Sequence, residues 1–276
     1  MITFYDIVLY FSLFSFCGWI CESVFCSIHE KKLVNRGFLN GPVCPIYGFG
    51  GLMVVYILAP LQNNLVLLFL CGLITTTALE YATSWLMEKL FHTSWWDYSD
   101  LKFNLNGRVC LKFSIIFGLL SVVAVKLLYP PFFSMVAKIP LWAKPWLGWG
   151  LTISLLADAG MTVYGILSLN GKLEELKATA LEIRQKVEGA GVYMSSQEWR
   201  ERFRLEPSQL SPEALRDALD DLTKRMETQL QGFAKRFQNR RLMNAFPKMR
   251  STRNTEQFYD VKAAWEALKK RRKKKK

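Results

Sequence analysis

The residues of this chain that can do chemistry are acids and arginines set inside or beside long apolar runs. Glu22 follows Gly18-Trp19-Ile20-Cys21, Glu80 and Glu88 fall late in the apolar stretch 64–88, and Asp158 interrupts Leu155-Leu156-Ala157 and Ala159-Gly160-Met161. A carboxylate at membrane depth costs about 2.5–3.5 kcal/mol or more, so each such acid needs a partner or a function. On a helix Glu80, Ser84 and Glu88 recur at i, i+4 and i+8. They share one face, with Thr76 and Thr77 a turn before Glu80. Arg36 and Arg108 stand just outside the apolar runs, at the level expected for Glu22 and Glu80. Two readings stay open: Arg36 or Arg108 pairs with Glu22 or Glu80 to tie helices together, or these groups line a polar vestibule for a substrate headgroup or an ion.

Between the third and fourth apolar runs lies Trp95-Trp96-Asp97-Tyr98-Ser99-Asp100, then Asn104-Leu105-Asn106-Gly107-Arg108. Trp95 and Trp96 suit an aromatic anchor at an interface, with Asp97 capping a turn. Asn106 and Arg108 add donors able to grip a lipid phosphate or a partner subunit. Metal chemistry has little support. His29 and His92 lack organised partners, and Cys17, Cys21 and Cys26 have no His or carboxylate in their plane, so they are expected to pack. All six cysteines lie in or beside apolar runs, which argues against a disulfide framework. No phosphate-cradling Gly-rich loop, hydrolase elbow or zincin helix is present, so the chain is not expected to hydrolyse ATP itself, and no cofactor is implied.

The elements that must position these residues are membrane spans. Residues 1–169 hold 10 Lys+Arg against 8 Asp+Glu, whereas 170–276 hold 26 against 15, together the net +13 of the chain. The division predicts an all-α polytopic membrane helix bundle, 1–169, followed by a soluble, basic helical extension, 170–276. Five stretches approach the roughly 20 apolar residues a bilayer requires, about 4–28, 43–61, 64–88, 109–129 and 146–169. The N-terminus has no positive region or cleavage site and Asp6 stands where a cation would, so it is expected to be a retained span. Pro60-Leu61-Gln62-Asn63 makes spans two and three a tight hairpin. Span two starts Gly41-Pro42-Val43-Cys44-Pro45, either a proline-started helix with small residues for close packing or a re-entrant kink. The segment from Pro130-Pro131 to Trp146 reads as a proline-broken, aromatic interfacial connection.

With five spans, the 1–2 and 3–4 connections share a side with the tail, and that side is the basic one. The positive-inside rule then predicts a multi-pass protein of the cell membrane, N-terminus outside and C-terminus cytoplasmic. In the tail, Leu173, Leu176, Ala180, Ile183 and Val187 form one helical stripe, a second helix is expected from Ser211-Pro212-Glu213 to about Met243, and a third over 255–272. The last residues, Arg271-Arg272-Lys273-Lys274-Lys275-Lys276, are either solvated or bound to anionic lipid headgroups, with nucleic acid the weaker competitor.

Gly18-Trp19 with Glu22, Asn35-Arg36-Gly37-Phe38-Leu39-Asn40-Gly41-Pro42-Val43-Cys44-Pro45-Ile46-Tyr47-Gly48, Leu79-Glu80-Tyr81, Trp95-Trp96-Asp97-Tyr98-Ser99 and Phe103-Asn104-Leu105-Asn106-Gly107-Arg108 form a joint pattern over about residues 5–130. The pattern resembles a bacterial family of ABC-transporter permeases called type IV. The resemblance implies the membrane subunit of an ATP-driven transporter, with the ATPase on a separate chain. Asn40 and Tyr47, inside these strings, join Glu22, Arg36, Glu80, Ser84, Trp95, Trp96, Asp97, Asn106, Arg108 and Asp158 as vestibule candidates. Five spans are few for a translocation path, so a homodimer surrounded by membrane lipids is expected. Two rival readings remain: a small membrane enzyme or lipid-headgroup-binding protein at the cytoplasmic interface, and a membrane scaffold whose tail recruits partners.

Overall fold

The computed structural model describes residues 2–31, 33–189 and 237–255, with isolated positions at 224, 228, 232, 258, 259 and 262. The fold is mainly helical: α1 (Phe4–Glu30), α2 (Pro45–Leu58), α3 (Leu65–Phe91), α4 (Leu111–Val123), α5 (Tyr129–Ala137), α6 (Ala143–Gly189) and α7 (Phe237–Ala245). Four two-residue strands, β1 (Thr93–Ser94), β2 (Asn104–Leu105), β3 (Val109–Cys110) and β4 (Arg250–Ser251), pair as β1–β4 and β2–β3.

Among the described residues, four helical stretches are long and apolar enough to cross a membrane: Phe4–Ile28, Leu65–Phe91, Leu111–Ala137 and Ala143–Thr179. Only 17% to 28% of each stretch is buried within the protein, so apolar surface faces outward over most of its length. Meanwhile Ser15, Ser84, Ser114, Ser121 and Thr162 are turned inward. Water would not tolerate that inversion; hydrocarbon does. Pro45–Leu61 is the short member of the set. Residues 41–44 remain outside the helix and Pro45 occupies its first turn, so the expected span 43–61 loses its start.

The Pro130-Pro131 break expected after span four does not occur. Leu111–Ala137 runs as one helical rod, with a π segment at Ala124–Leu128 leading into α5. Pro130 and Pro131 have no N–H to donate, and they enter in the first turn of α5 after the wider π turn has passed. The fifth expected span and the amphipathic stretch after it are likewise one continuous helix, α6.

Directions follow from end contacts. Thr3 and Asp6 cap α1 reciprocally, and Asp6 Oδ1 also receives Lys144 Nζ at 2.7 Å, so α1 and α6 begin at the same end. At the other end the ring of Phe38, just after α1, meets that of Phe91 at the close of α3. The apolar core joins α1, α2 and α5 through Leu9, Tyr10, Phe14, Val55 and Phe132, and α2, α3 and the π segment through Val54, Leu58, Leu68 and Val125.

The chain forms two compact units. The first holds Met1–Gly165 together with Arg241–Thr252, and the remaining residues group in the second. Within the second, Ile166, Leu169, Leu173 and Leu176 form a buried stripe on α6, extending the predicted stripe toward the N-terminus. Arg253 there pairs with Glu174 at 3.1 Å. Of the tail helix expected over 211–243, only its end coincides with described helix, in α7. The helix expected over 255–272 and the basic run 269–276 lie outside the described residues, apart from isolated helical positions.

Candidate functional site

Polar chemistry gathers at the end of the first unit where α1 and α3 finish. Glu22, late in α1, accepts the Tyr47 hydroxyl at 2.7 Å through Oε1 and has Arg36 Nε 3.6 Å from Oε2. The pairing expected of Arg36 is therefore with Glu22. Arg108 makes its ion pair neither with Glu22 nor with Glu80: its guanidinium lies 2.7 Å from Glu88 and over the Tyr81 ring. The i+8 spacing explains this, since Glu88 is two turns nearer the end of α3, at the level of the hairpin that carries Arg108.

Glu80 is buried and accepts the Tyr98 hydroxyl at 3.2 Å through Oε1, while Oε2 has no partner among the described residues. Tyr98 stacks on Phe113 with centroids 4.9 Å apart. Burial, and then the nearby Glu80 carboxylate, push the Tyr98 phenol well above its ordinary range, so it remains a donor. Ser84 is buried one turn beyond Glu80.

The 35–41 loop is held from two sides. Asp158 Oδ1 accepts the Asn40 backbone N–H at 2.9 Å and the Asn40 amide at 2.8 Å, and Oδ2 accepts the Gly41 N–H at 2.7 Å. Thr162 Oγ1 accepts the Asn40 amide at 3.1 Å. Opposite, the Arg241 guanidinium donates to the carbonyls of Gly37, Phe38 and Leu39 at 2.7–2.8 Å. A carboxylate takes the loop's N–H groups and a guanidinium takes its carbonyls, which satisfies a non-helical backbone segment at one end of a membrane bundle. Burial lowers the Arg241 guanidinium from its usual range and Asp158 counters that. Within the loop, Asn35 Oδ1 accepts Trp19 Nε1 at 2.8 Å, and the Asn35 amide donates to the Asn40 carbonyl.

The 92–110 connection is built around a tight hairpin. Asn106 and Gly107 both have positive φ and the Arg108 N–H returns to the Leu105 carbonyl, the primed turn that suits Asn-Gly. A Cβ at Gly107 would stand 2.5 Å from Ser99 Oγ and 2.6 Å from Asp97 Oδ1, so glycine is required there twice over. The turn presents the Asn106 amide to the Tyr81 hydroxyl at 3.0 Å and aims the Arg108 carbonyl at Trp96 Nε1, 2.8 Å away. Trp95 is not an interfacial anchor. It is buried between Phe38 and Phe246, each edge-on with centroids 5.1 Å away.

Asp97 accepts both the backbone N–H and the hydroxyl of Ser99, the expected turn cap, and pairs with Arg250 at 3.2 Å. The Ser99 hydroxyl chiefly, helped by Arg250 and Lys248 and opposed by burial, holds its carboxyl below the ordinary carboxylate range. A carboxyl with a lowered folded pKa contributes stability that is complete above its unfolded value of about 3.9 and is lost as pH falls through the folded value. The wild type should therefore exceed Asp97→Asn in thermal midpoint by about 1–2 °C, evenly from pH 5 to 8. The gap should close below about pH 4. A gap that does not narrow as pH falls below about 4 would show that charge is not its source.

Arg241, Phe246, Lys248 and Arg250 are partners that sequence reasoning missed. In a tail holding 26 of the 36 cations, nothing distinguishes Arg241 from its neighbours. Tyr98 was legible only as part of its aromatic string. An open depression of about 530 Å³ lies elsewhere, at the far ends of α3 and α4, lined by Gln62, Asn63, Leu65, Val122, Val123, Lys126 and Leu127. The polar groups of the site face one another instead.

A bundle with apolar flanks, inward hydroxyls and paired acids defines a polytopic membrane protein. Residues 9–163 match the family described as "Putative ABC-transporter type IV", and the chain belongs to that family. No curated protein and no solved structure matches it. The match ends before α7 and β4, so the residues from Arg241 to Thr252 lie outside the matched stretch.

Proposed function

We propose that this chain is the permease-like membrane subunit of an ABC-type transporter, served by an ATPase on another chain. The loop-rich end of the bundle would face the cytoplasm, with the N-terminus outside. One observation carries the reading: within the family-matched residues, Glu22, Tyr47, Arg36, Glu80 and Tyr98 gather at the loop-rich end of the bundle. Such a cluster of ionisable groups inside a membrane bundle is the pattern of a substrate path. Glu80 Oε2, buried without a partner among the described residues, is the acceptor a passing substrate would meet. Arg36 and Arg108 are each occupied by a carboxylate and an aromatic ring, which disfavours the rival reading in which they grip a lipid phosphate.

Affinity purification of the intact chain from native membranes should recover an ATPase subunit, and ATP should drive flux in vesicles containing both. Recovery of the chain alone, with flux indifferent to ATP, would sink the reading. Glu80→Gln keeps an oxygen for Tyr98 but removes the charge. It should lower flux about tenfold, matching ~1.5 kcal/mol lost with a charge-assisted hydrogen bond, with folded yield unchanged. Undiminished flux would remove Glu80 from the path.

A further inference from the structure

The segment Arg241–Thr252 spans two loops of the loop-rich end, 36–39 and 92–100. Arg241 holds the carbonyls of residues 37–39. Arg36 donates to the Ala245 carbonyl and lies over the Phe246 ring, 5.0 Å from its centroid, while the other edge of its guanidinium approaches Glu22. Phe246 packs on Trp95, Lys248 reaches Asp100 at 3.0 Å, and Arg250 pairs with Asp97. Beyond them β4 adds an antiparallel strand to β1, with Thr93 opposite Ser251, and the Thr252 N–H continues the ladder to the His92 carbonyl. Leu242, Met243, Ala245, Met249 and Ser251 are buried. Anchors of four kinds, spread along twelve residues and all directed at the 35–39 and 91–100 loops, make this a built contact.

We propose that residues 241–252 form a strap that closes the loop-rich end of the membrane domain, and that its release is the motion that opens the partly exposed Glu22–Arg36 pair fully to water. Arg36 is the link: it bridges Glu22 and the strap. When Ala245 and Phe246 leave, its guanidinium loses a carbonyl acceptor and an aromatic face, and nothing then holds it against the bundle except Glu22. When Arg241 leaves, three loop carbonyls lose their donor, and the 37–41 segment keeps its bonds to α6 at Asp158 and Thr162 and the ring contacts of Phe38. The strap lies outside the family-matched residues. The role assigned to the cluster rests on the permease reading; the strap's closure does not.

A Thr93→Cys/Ser251→Cys pair tests closure directly, because the two residues are Cα partners across an antiparallel pair, within reach of a disulfide. In the intact chain in native membranes, oxidation should join them within one chain. Cys44 reports opening: it is buried just beyond the 35–41 loop, where its N–H bonds the Ser15 carbonyl at 3.0 Å. Maleimide labelling of Cys44, read by peptide mass spectrometry, should be slow in the oxidised pair. In the Arg241→Gln/Phe246→Ala variant it should be about tenfold faster, the change expected when local opening is eased by roughly one charge-assisted hydrogen bond. Should that variant fail to fold, Lys248→Glu/Arg250→Glu alters exposed strap charges only and should still speed labelling severalfold. No disulfide, a disulfide between two chains, or equal labelling in locked and released proteins would each overturn the strap. Loss of ATP-driven flux in the oxidised pair, restored by reductant, would tie the strap to transport. If labelling follows the strap but no ATPase is recovered from membranes, the permease reading fails and the strap stands.

Discussion

Asp158→Asn is expected to detach the 35–41 loop from α6. The carboxylate accepts three donors from the loop with two oxygens, and two of those donors are backbone N–H groups with no alternative described partner. An asparagine in its place has one oxygen, and its amide would point N–H against either the Gly41 or the Asn40 donors. One buried N–H is then orphaned and the charge balancing Arg241 is gone. A cost of about 3 kcal/mol follows, from one unsatisfied donor plus the lost charge assistance of the remaining bonds. The thermal midpoint in detergent should fall by several degrees, roughly 6–10 °C at this size. Thr162→Val removes the 3.1 Å contact to Asn40 and a long 3.5 Å donation to Asp158, and should fall by much less. Equal midpoints for Asp158→Asn and the wild type would show that the loop does not depend on α6.

The other large effect lies where α1 and α2 cross. A Cβ on Gly48 would strike Ser15 Oγ and stand 2.7 Å from two carbons of the Phe11 ring, and one on Gly18 would enter the ring of Tyr47. The helices therefore meet glycine to side chain in both directions, the close approach on which helix pairs in lipid depend. Gly48→Val must push α2 away from α1 and carry Tyr47 away from Glu22. Overpacking of this kind costs about 3 kcal/mol and often more, because backbone cannot yield as a side chain tip can. Little monodisperse protein should survive extraction. Any that does should have lost the Tyr47–Glu22 bond, visible as a change in tyrosine hydroxyl exchange. Full yield with wild-type stability would mean that α1 and α2 do not cross there.

Much of the fold is written in local composition. Runs of apolar residues near bilayer length specify spans wherever they occur, and Asn106-Gly107 specifies its turn whatever surrounds it. For the same reason the expected bounds slip only where a local rule has a tertiary exception. The helix beyond Val123 continues through Pro130-Pro131 because a π segment lets it. The Glu22–Arg36 pairing was one of the alternatives legible from depth alone, since two opposite charges at one level of a membrane have few other partners.

Depth, however, does not assign azimuth. Glu88 rather than Glu80 receives Arg108, and Tyr98 rather than an arginine reaches Glu80, because helix rotation and the hairpin's direction decide which acid each donor meets. The sequence by itself determined that this is a membrane helix bundle of its family, with acids and arginines concentrated at one end. Only the tertiary structure decided that a segment near residue 245, more than 200 residues from Arg36, completes that end. The physical reason is that an arginine bound to three carbonyls carries no sequence mark. Its partners are backbone groups that every residue possesses, brought within reach only by the fold.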